Sequence, residues 1–77
     1  MTNIGLYLKK RSVNLSDVSR KTGLGRSRLS KLSINPNTRV TAEELYKIAL
    51  AIQEDPGEMF RELFAGLSLV NFQDNDV

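Results

Sequence analysis

Residues 26–33 read RSRLSKLS, so Arg26, Arg28 and Lys31 stand beside Ser27 and Ser30 with no acid among them. Guanidinium, ammonium and hydroxyl groups together supply positive charge and many hydrogen-bond donors, the chemistry with which a protein holds an anion. Such a face is either plainly solvated or a surface awaiting an anion. Leu29 and Leu32, spaced i, i+3, are the large apolar residues of the stretch, so a helix here turns one narrow stripe inward and leaves its bases outside.

Some element must hold that helix in place. Asn14 can accept from the free backbone N–H groups of a helix beginning at Leu15, and Asp17, three residues on, makes a capping-box-like pair with it. Leu15, Val18 and Ser19 are the inward positions of this preceding helix. It stops at Gly23, because glycine takes left-handed backbone at little steric cost. Leu24 then offers an apolar plug, and Gly25 and Arg26 open the basic helix. Two short helices around one glycine form a helix-turn-helix, which can present a basic helix to a groove of DNA.

The rest of the chain reads as three further helices. The first runs from about residue 3 to 11, with Ile4, Tyr7 and Leu8 inward. Lys9, Lys10 and Arg11 at its end either complement the helix dipole or contact phosphate. Asn35-Pro36-Asn37-Thr38 is a turn cluster. Thr41 and Glu44 form a T-x-x-E capping box, followed by the apolar face Leu45, Ile48, Ala49 and Ile52. Asp55, Pro56 and Glu58 start the last helix, whose inner face is Met59, Phe60, Leu63 and Phe64. These aromatic and sulfur side chains are read as core, not as a cofactor box. After Ala65, LSLVNF at 67–72 is too apolar for a free tail. Its side chains bury either against their own domain or against a second copy, and residues 73–77 are polar, acidic and expected to be disordered.

Composition narrows the chemistry. Seventy-seven residues allow one small core and leave no room for a separate effector-sensing domain. With no cysteine and no histidine, disulfides, thiolate zinc sites and histidine acid–base chemistry are excluded. Apolar runs are too short to span a bilayer, and the N-terminus lacks a signal-peptide layout, so a cytoplasmic protein is expected. Charge is segregated: residues 1–40 hold nine bases against Asp17, a balance of +8, whereas residues 41–77 hold two bases against eight acids, a balance of −6. A phosphate backbone suits the first half, and the acidic half would face away from it.

The segment 14–32 resembles the lambda-repressor-like, Cro/C1-type (XRE-family) helix-turn-helix. Val18 and Ser19 match that family's hydrophobic and small residues, Gly23 its turn glycine, Leu24 its turn hydrophobe and Leu29 the buried residue of its recognition helix. ELYKIALAI at 44–52 resembles the fourth helix and EDPGEMFRELF at 54–64 the fifth, so the resemblance covers about residues 3–64. Ser12 stands where the family often has glycine, Ser33 replaces a frequent glutamate, and SINPNTRV is longer than the usual connection by about one residue. The resemblance implies an all-α, compact five-helix bundle, with a DNA-binding domain at 1–64 and a C-terminal extension at 65–77.

It also implies a double-stranded DNA-binding transcriptional regulator, a repressor, that reads the major groove with the helix at about 26–33. Base contacts fall to Arg26, Ser27 and Arg28, with Ser30 and Lys31 as outer contacts. Arginine grips guanine O6 and N7 with two hydrogen bonds, so each half-site should hold at least one G. Arg26 and Arg28 project about 200° apart, so one reads a base while the other holds a phosphate. Phosphate contacts are expected at Asn14, at the N–H groups beginning with Leu15, and at Thr38 and Arg39. Leu15 stands where relatives often carry a glutamine that reaches the DNA. The family habit of pairing through its C-terminal region favours a homodimer. Cofactors, metals, membranes and small-molecule ligands are not expected. The alternative is a protein-interaction module on the same scaffold, an antitoxin-like or phage-encoded adaptor. Catalysis is not expected, because the acid pairs sit at helix starts or on exposed faces, and Gly23-Leu24-Gly25 lacks the length and the Lys-Ser/Thr of a phosphate loop.

Overall fold

The computed structural model describes residues 1–70, which form five helices and no strand. The order is α1 (Asn3–Lys10), α2 (Leu15–Thr22), α3 (Arg26–Ile34), α4 (Ala42–Ala51) and α5 (Pro56–Leu63). This is the all-α, five-helix arrangement expected from the sequence. No helix among the described residues is long and apolar enough to cross a membrane.

Four of the five helix starts, all but that of α3, rest on a local side-chain cap. Thr2 accepts from the Gly5 N–H, Asn14 from Ser16 and Asp17, Thr41 from Glu44 and Asp55 from Glu58. The Thr41–Glu44 box is closed in both directions. Asp17 differs from expectation. Its carboxylate pairs with Arg20 and, at 3.1 Å, with Lys21, and does not reach back to the Asn14 N–H. Aspartate is one methylene shorter than the glutamate of a capping box, and two cations one turn ahead compete for it.

Val18, Leu29, Leu32, Ile48 and Met59 are the large fully buried side chains, joined by Tyr7, Leu8, Leu45, Ala49 and Leu63. Around this core α1 packs on α3 and α5, α2 on α3 and α4, and α4 on α5. Helix α3 is thus held from both sides. Phe60 is a correction to the sequence reading, because it is 53% exposed. Met59 and Leu63, four apart, take the inward stripe of α5, and one further residue turns Phe60 about 100° away from Met59. Its ring rests on Phe64, centroids 4.9 Å apart.

The α1–α3 contact is unusually close. A Cβ on Gly5 would stand 2.1 Å from the Ser33 carbonyl oxygen, so only glycine fits. The same carbonyl accepts from the Thr2 N–H at 3.0 Å, and Thr2 Oγ1 donates to the Leu32 carbonyl at 2.6 Å. These contacts fix the C-terminal end of α3. Beyond α5, Leu67, Leu69 and Val70 are exposed, so this part of the apolar tail does not bury on its own domain. The expectations for Phe72 and for disorder at 73–77 lie outside the described residues.

Candidate nucleic-acid interface

Gly23 sits at φ 81°, and its N–H donates to the Ser19 carbonyl at 2.9 Å, ending α2 as a glycine at that place should. Ser19 Oγ donates to the Leu24 carbonyl at 2.6 Å, and Leu24 packs against the core. The turn is therefore pinned both by backbone and by side chain. It delivers α3 with Gly25 as its cap residue and no side-chain cap, leaving the first N–H groups of α3 open.

With Leu29, Leu32 and Ser33 buried, the helical repeat fixes the rest of α3. At about 100° per residue, Ser27, Lys31 and Ile34 point directly outward, Ser30 and Arg26 lie on one flank, and Arg28 on the other. Arg26, Ser27, Ser30 and Lys31 are all exposed, whereas Arg28 is half-buried. Ser33, where the family pattern often has glutamate, is buried, and its Oγ donates to the Leu29 carbonyl at 2.9 Å.

On the first flank the Arg26 guanidinium donates to Ser16 Oγ, tying the start of α3 to the start of α2. Lys9, Leu15, Ser30 and Ile34 line one shallow groove there, so the end of α1 shares this side. Asn14 uses its side-chain oxygen on Ser16 and Asp17, at 2.9 and 3.3 Å. Its amide nitrogen and the Leu15 N–H have no partner among the described residues, and both remain donors. The Leu15 side chain packs on the core.

On the second flank Arg28 turns back into the protein. Its Nε donates to Glu44 Oε2 at 2.8 Å, and its Nη2 donates to Glu44 Oε1 at 2.9 Å and to the Arg39 carbonyl at 2.8 Å. The Arg28 guanidinium, helped by the Thr41 N–H and opposed by burial, holds the Glu44 carboxyl well below its ordinary range, at about 2. In the connection after α3, Asn35 Oδ1 accepts from Asn37, and the Thr38 N–H donates to the Asn35 carbonyl at 3.0 Å. Thr38 is half-buried and the Arg39 side chain is exposed.

The structure thus brings Asn14, Leu15, Arg26 and Ser30 together, with Ser27 and Lys31 on the outward strip and Thr38 and Arg39 on the far side of Arg28. Ser16, Ile34 and Glu44 are additional participants. Glu44 announces itself in the sequence only as a capping residue, and Ser16 only as a polar position in the first turn of α2. Among the described residues no group of three acidic side chains could hold a metal ion.

The family model for the Cro/C1-type HTH DNA-binding domain matches residues 3–61. Comparison with curated proteins and with solved structures gave no match.

Proposed function

The chain belongs to the Cro/C1-type helix-turn-helix DNA-binding domain family, and on that premise we propose that it is a sequence-specific transcriptional regulator, a repressor that acts as a cytoplasmic homodimer on double-stranded DNA. Residues 1–64 form the DNA-binding domain and 65–77 an extension that pairs two copies. The observation that carries this reading is the outward strip of α3, where Ser27, Ser30 and Lys31 stand beside Arg26 with no acid within salt-bridge distance of either cation among the described residues.

That strip enters the major groove, where Arg26 and Lys31 can donate to guanine and the serines to either partner of a pair. Asn14 Nδ2, the Leu15 N–H, Thr38 and Arg39 contact phosphates on the two sides. The exposed side chains of Leu67, Leu69 and Val70 support pairing, because apolar surface of this kind buries against a second copy. The reading assigns the chain no catalysis.

Selection from a random duplex library tests the proposal. Enriched sites should form a palindrome with half-site centres roughly 34 Å apart. Absence of binding to any duplex at low salt would refute it and leave a protein-docking module as the explanation of the fold.

A further inference from the structure

A guanidinium carries five N–H donors, and a guanine is read by two of them side by side. The paired edges are Nε with Nη2, or Nη1 with Nη2. In Arg28 the first edge lies on the Glu44 carboxylate, and the remaining Nη2 hydrogen lies on the Arg39 carbonyl. Both edges pass through Nη2, so only the two diverging hydrogens of Nη1 are left. A single donor can touch a phosphate oxygen or a base atom, but it cannot make the two-pronged guanine contact.

We infer that Glu44 is a specificity-determining positioning residue: it withholds the Arg28 fork from DNA and converts Arg28 into a clamp on the connection between α3 and α4. Base reading then falls to Arg26, Ser27, Ser30 and Lys31. The inference deepens the DNA-binding reading above and rests on it.

The geometry around Glu44 makes the grip firm. Its side chain is 16% exposed, and Oε1 also accepts from the Thr41 N–H at 2.9 Å, so the carboxylate is fixed by the start of α4. The bond to the Arg39 carbonyl draws the end of the 35–41 connection against α3, which orients the stretch carrying Thr38 and Arg39. An approaching phosphate or base would have to break three charge-assisted bonds to recruit the fork.

The test compares wild type, Glu44→Gln, Arg28→Gln and the double variant by duplex-library selection, by binding across a salt series, and by NMR of the Arg28 Nε–H in the free proteins. Glutamine keeps an oxygen that can cap the Thr41 N–H but lacks the charge and the second acceptor. The Nε–H should be sheltered from exchange in wild type and released in Glu44→Gln. Wild type and Arg28→Gln should enrich the same bases, with similar salt dependence. Glu44→Gln should gain a G preference at one further position per half-site, with a salt slope steeper by about one. The double variant should lose that gain.

A clamp with a merely structural role would weaken Glu44→Gln binding without changing the bases selected, and that result would overturn the specificity role. So would loss of a wild-type base preference in Arg28→Gln. Enrichment of no duplex by wild type would refute DNA reading itself, and the specificity role with it. The free-protein NMR would then still decide the clamp, which a freely exchanging wild-type Nε–H would overturn.

Discussion

Replacing Gly5 with alanine tests how tightly α3 is held. The added Cβ would lie 2.1 Å from the Ser33 carbonyl oxygen, against the 3.4 Å at which ordinary contact begins. The Met1 side chain, 2.6 Å from the same point, can swing away, but the carbonyl belongs to α3 and cannot. Helix α1 must therefore move off by more than an ångström. That movement breaks the Thr2 N–H bond to Ser33 and strains the Thr2 Oγ1 bonds to Leu32 and Ser33. Overpacking of this kind costs about 1–3 kcal/mol, and each lost hydrogen bond about 1 kcal/mol, so a total of about 3 kcal/mol is expected. A core this small supplies only ~3–5 kcal/mol, so most of the stability would go. At roughly 4–8 °C per kcal/mol, Tm should fall by roughly 12–24 °C. Thermal and urea unfolding followed by far-ultraviolet circular dichroism would measure it, with Gly66→Ala, whose Cβ meets nothing within 4 Å, as the control. If Gly5→Ala and the control melt alike, the close approach of α1 and α3 is wrong.

Ser12 and Gln53 adopt φ values of 53° and 60°, so Ser12→Gly and Gln53→Gly should each stabilise the fold by about 0.5–1 kcal/mol in urea unfolding. The Glu44 carboxyl is lowered from 4.5 to about 2, so its contribution is present above pH 4.5 and is lost as pH falls through about 2. Urea midpoints measured from pH 7 to pH 2 should show Glu44→Gln weaker than wild type at pH 7 and the gap closing on acidification. Arg26→Ala should lose about 1–3 kcal/mol on the best duplex and relax discrimination, whereas Arg39→Ala should weaken matched and scrambled duplexes alike and flatten the salt slope by about one in competition binding.

Features that depend on a few neighbouring residues were legible in the sequence. Asn14, Thr41 and Asp55 cap the helices they were expected to cap, and Gly23 takes the left-handed turn, because cap and turn chemistry is decided within four residues. The glycine often found in the family at the position of Ser12 has its reason in the positive φ there. Features that depend on what another element brings were not legible. Nothing in the residues around Gly5 signals its close contact, because the Ser33 carbonyl it meets lies 28 positions later in the chain. Arg28 reads as an outward base until Glu44, 16 residues on, takes hold of it. Phe60 shows the limit of periodicity: an apolar run of Met59, Phe60, Leu63 and Phe64 is wider than the stripe α5 can bury, and the pattern alone does not choose which ring stays outside.

The same distinction governs the charge. Along the chain the first forty residues carry +8, but three acids of the second half fold back onto them. Glu54 and Glu62 take Arg11, whose guanidinium also lies 3.5 Å over the Tyr7 ring, and Glu44 takes Arg28. Asp17 holds Arg20 and Lys21. Four of the nine bases are thereby neutralised, leaving Lys9, Lys10, Arg26, Lys31 and Arg39 without an acid within salt-bridge distance among the described residues. Exposed pairs such as those of Asp17 with Arg20 and Lys21 stabilise the fold little, so their main consequence is selection. Counterion release rewards only the cations left free to meet phosphate. Arg26 and Lys31 sit on α3 itself, Lys9 lines the groove beside Ser30, and Arg39 stands on the connection that Arg28 clamps. Lys10 instead lines a groove with Leu6, Tyr7 and Glu62 on the side of α1 and α5. Among the described residues, internal pairing thus leaves Arg26, Lys31 and Lys9 as unpaired cations on and beside the outward strip of α3, which a count of bases along the chain could not reveal.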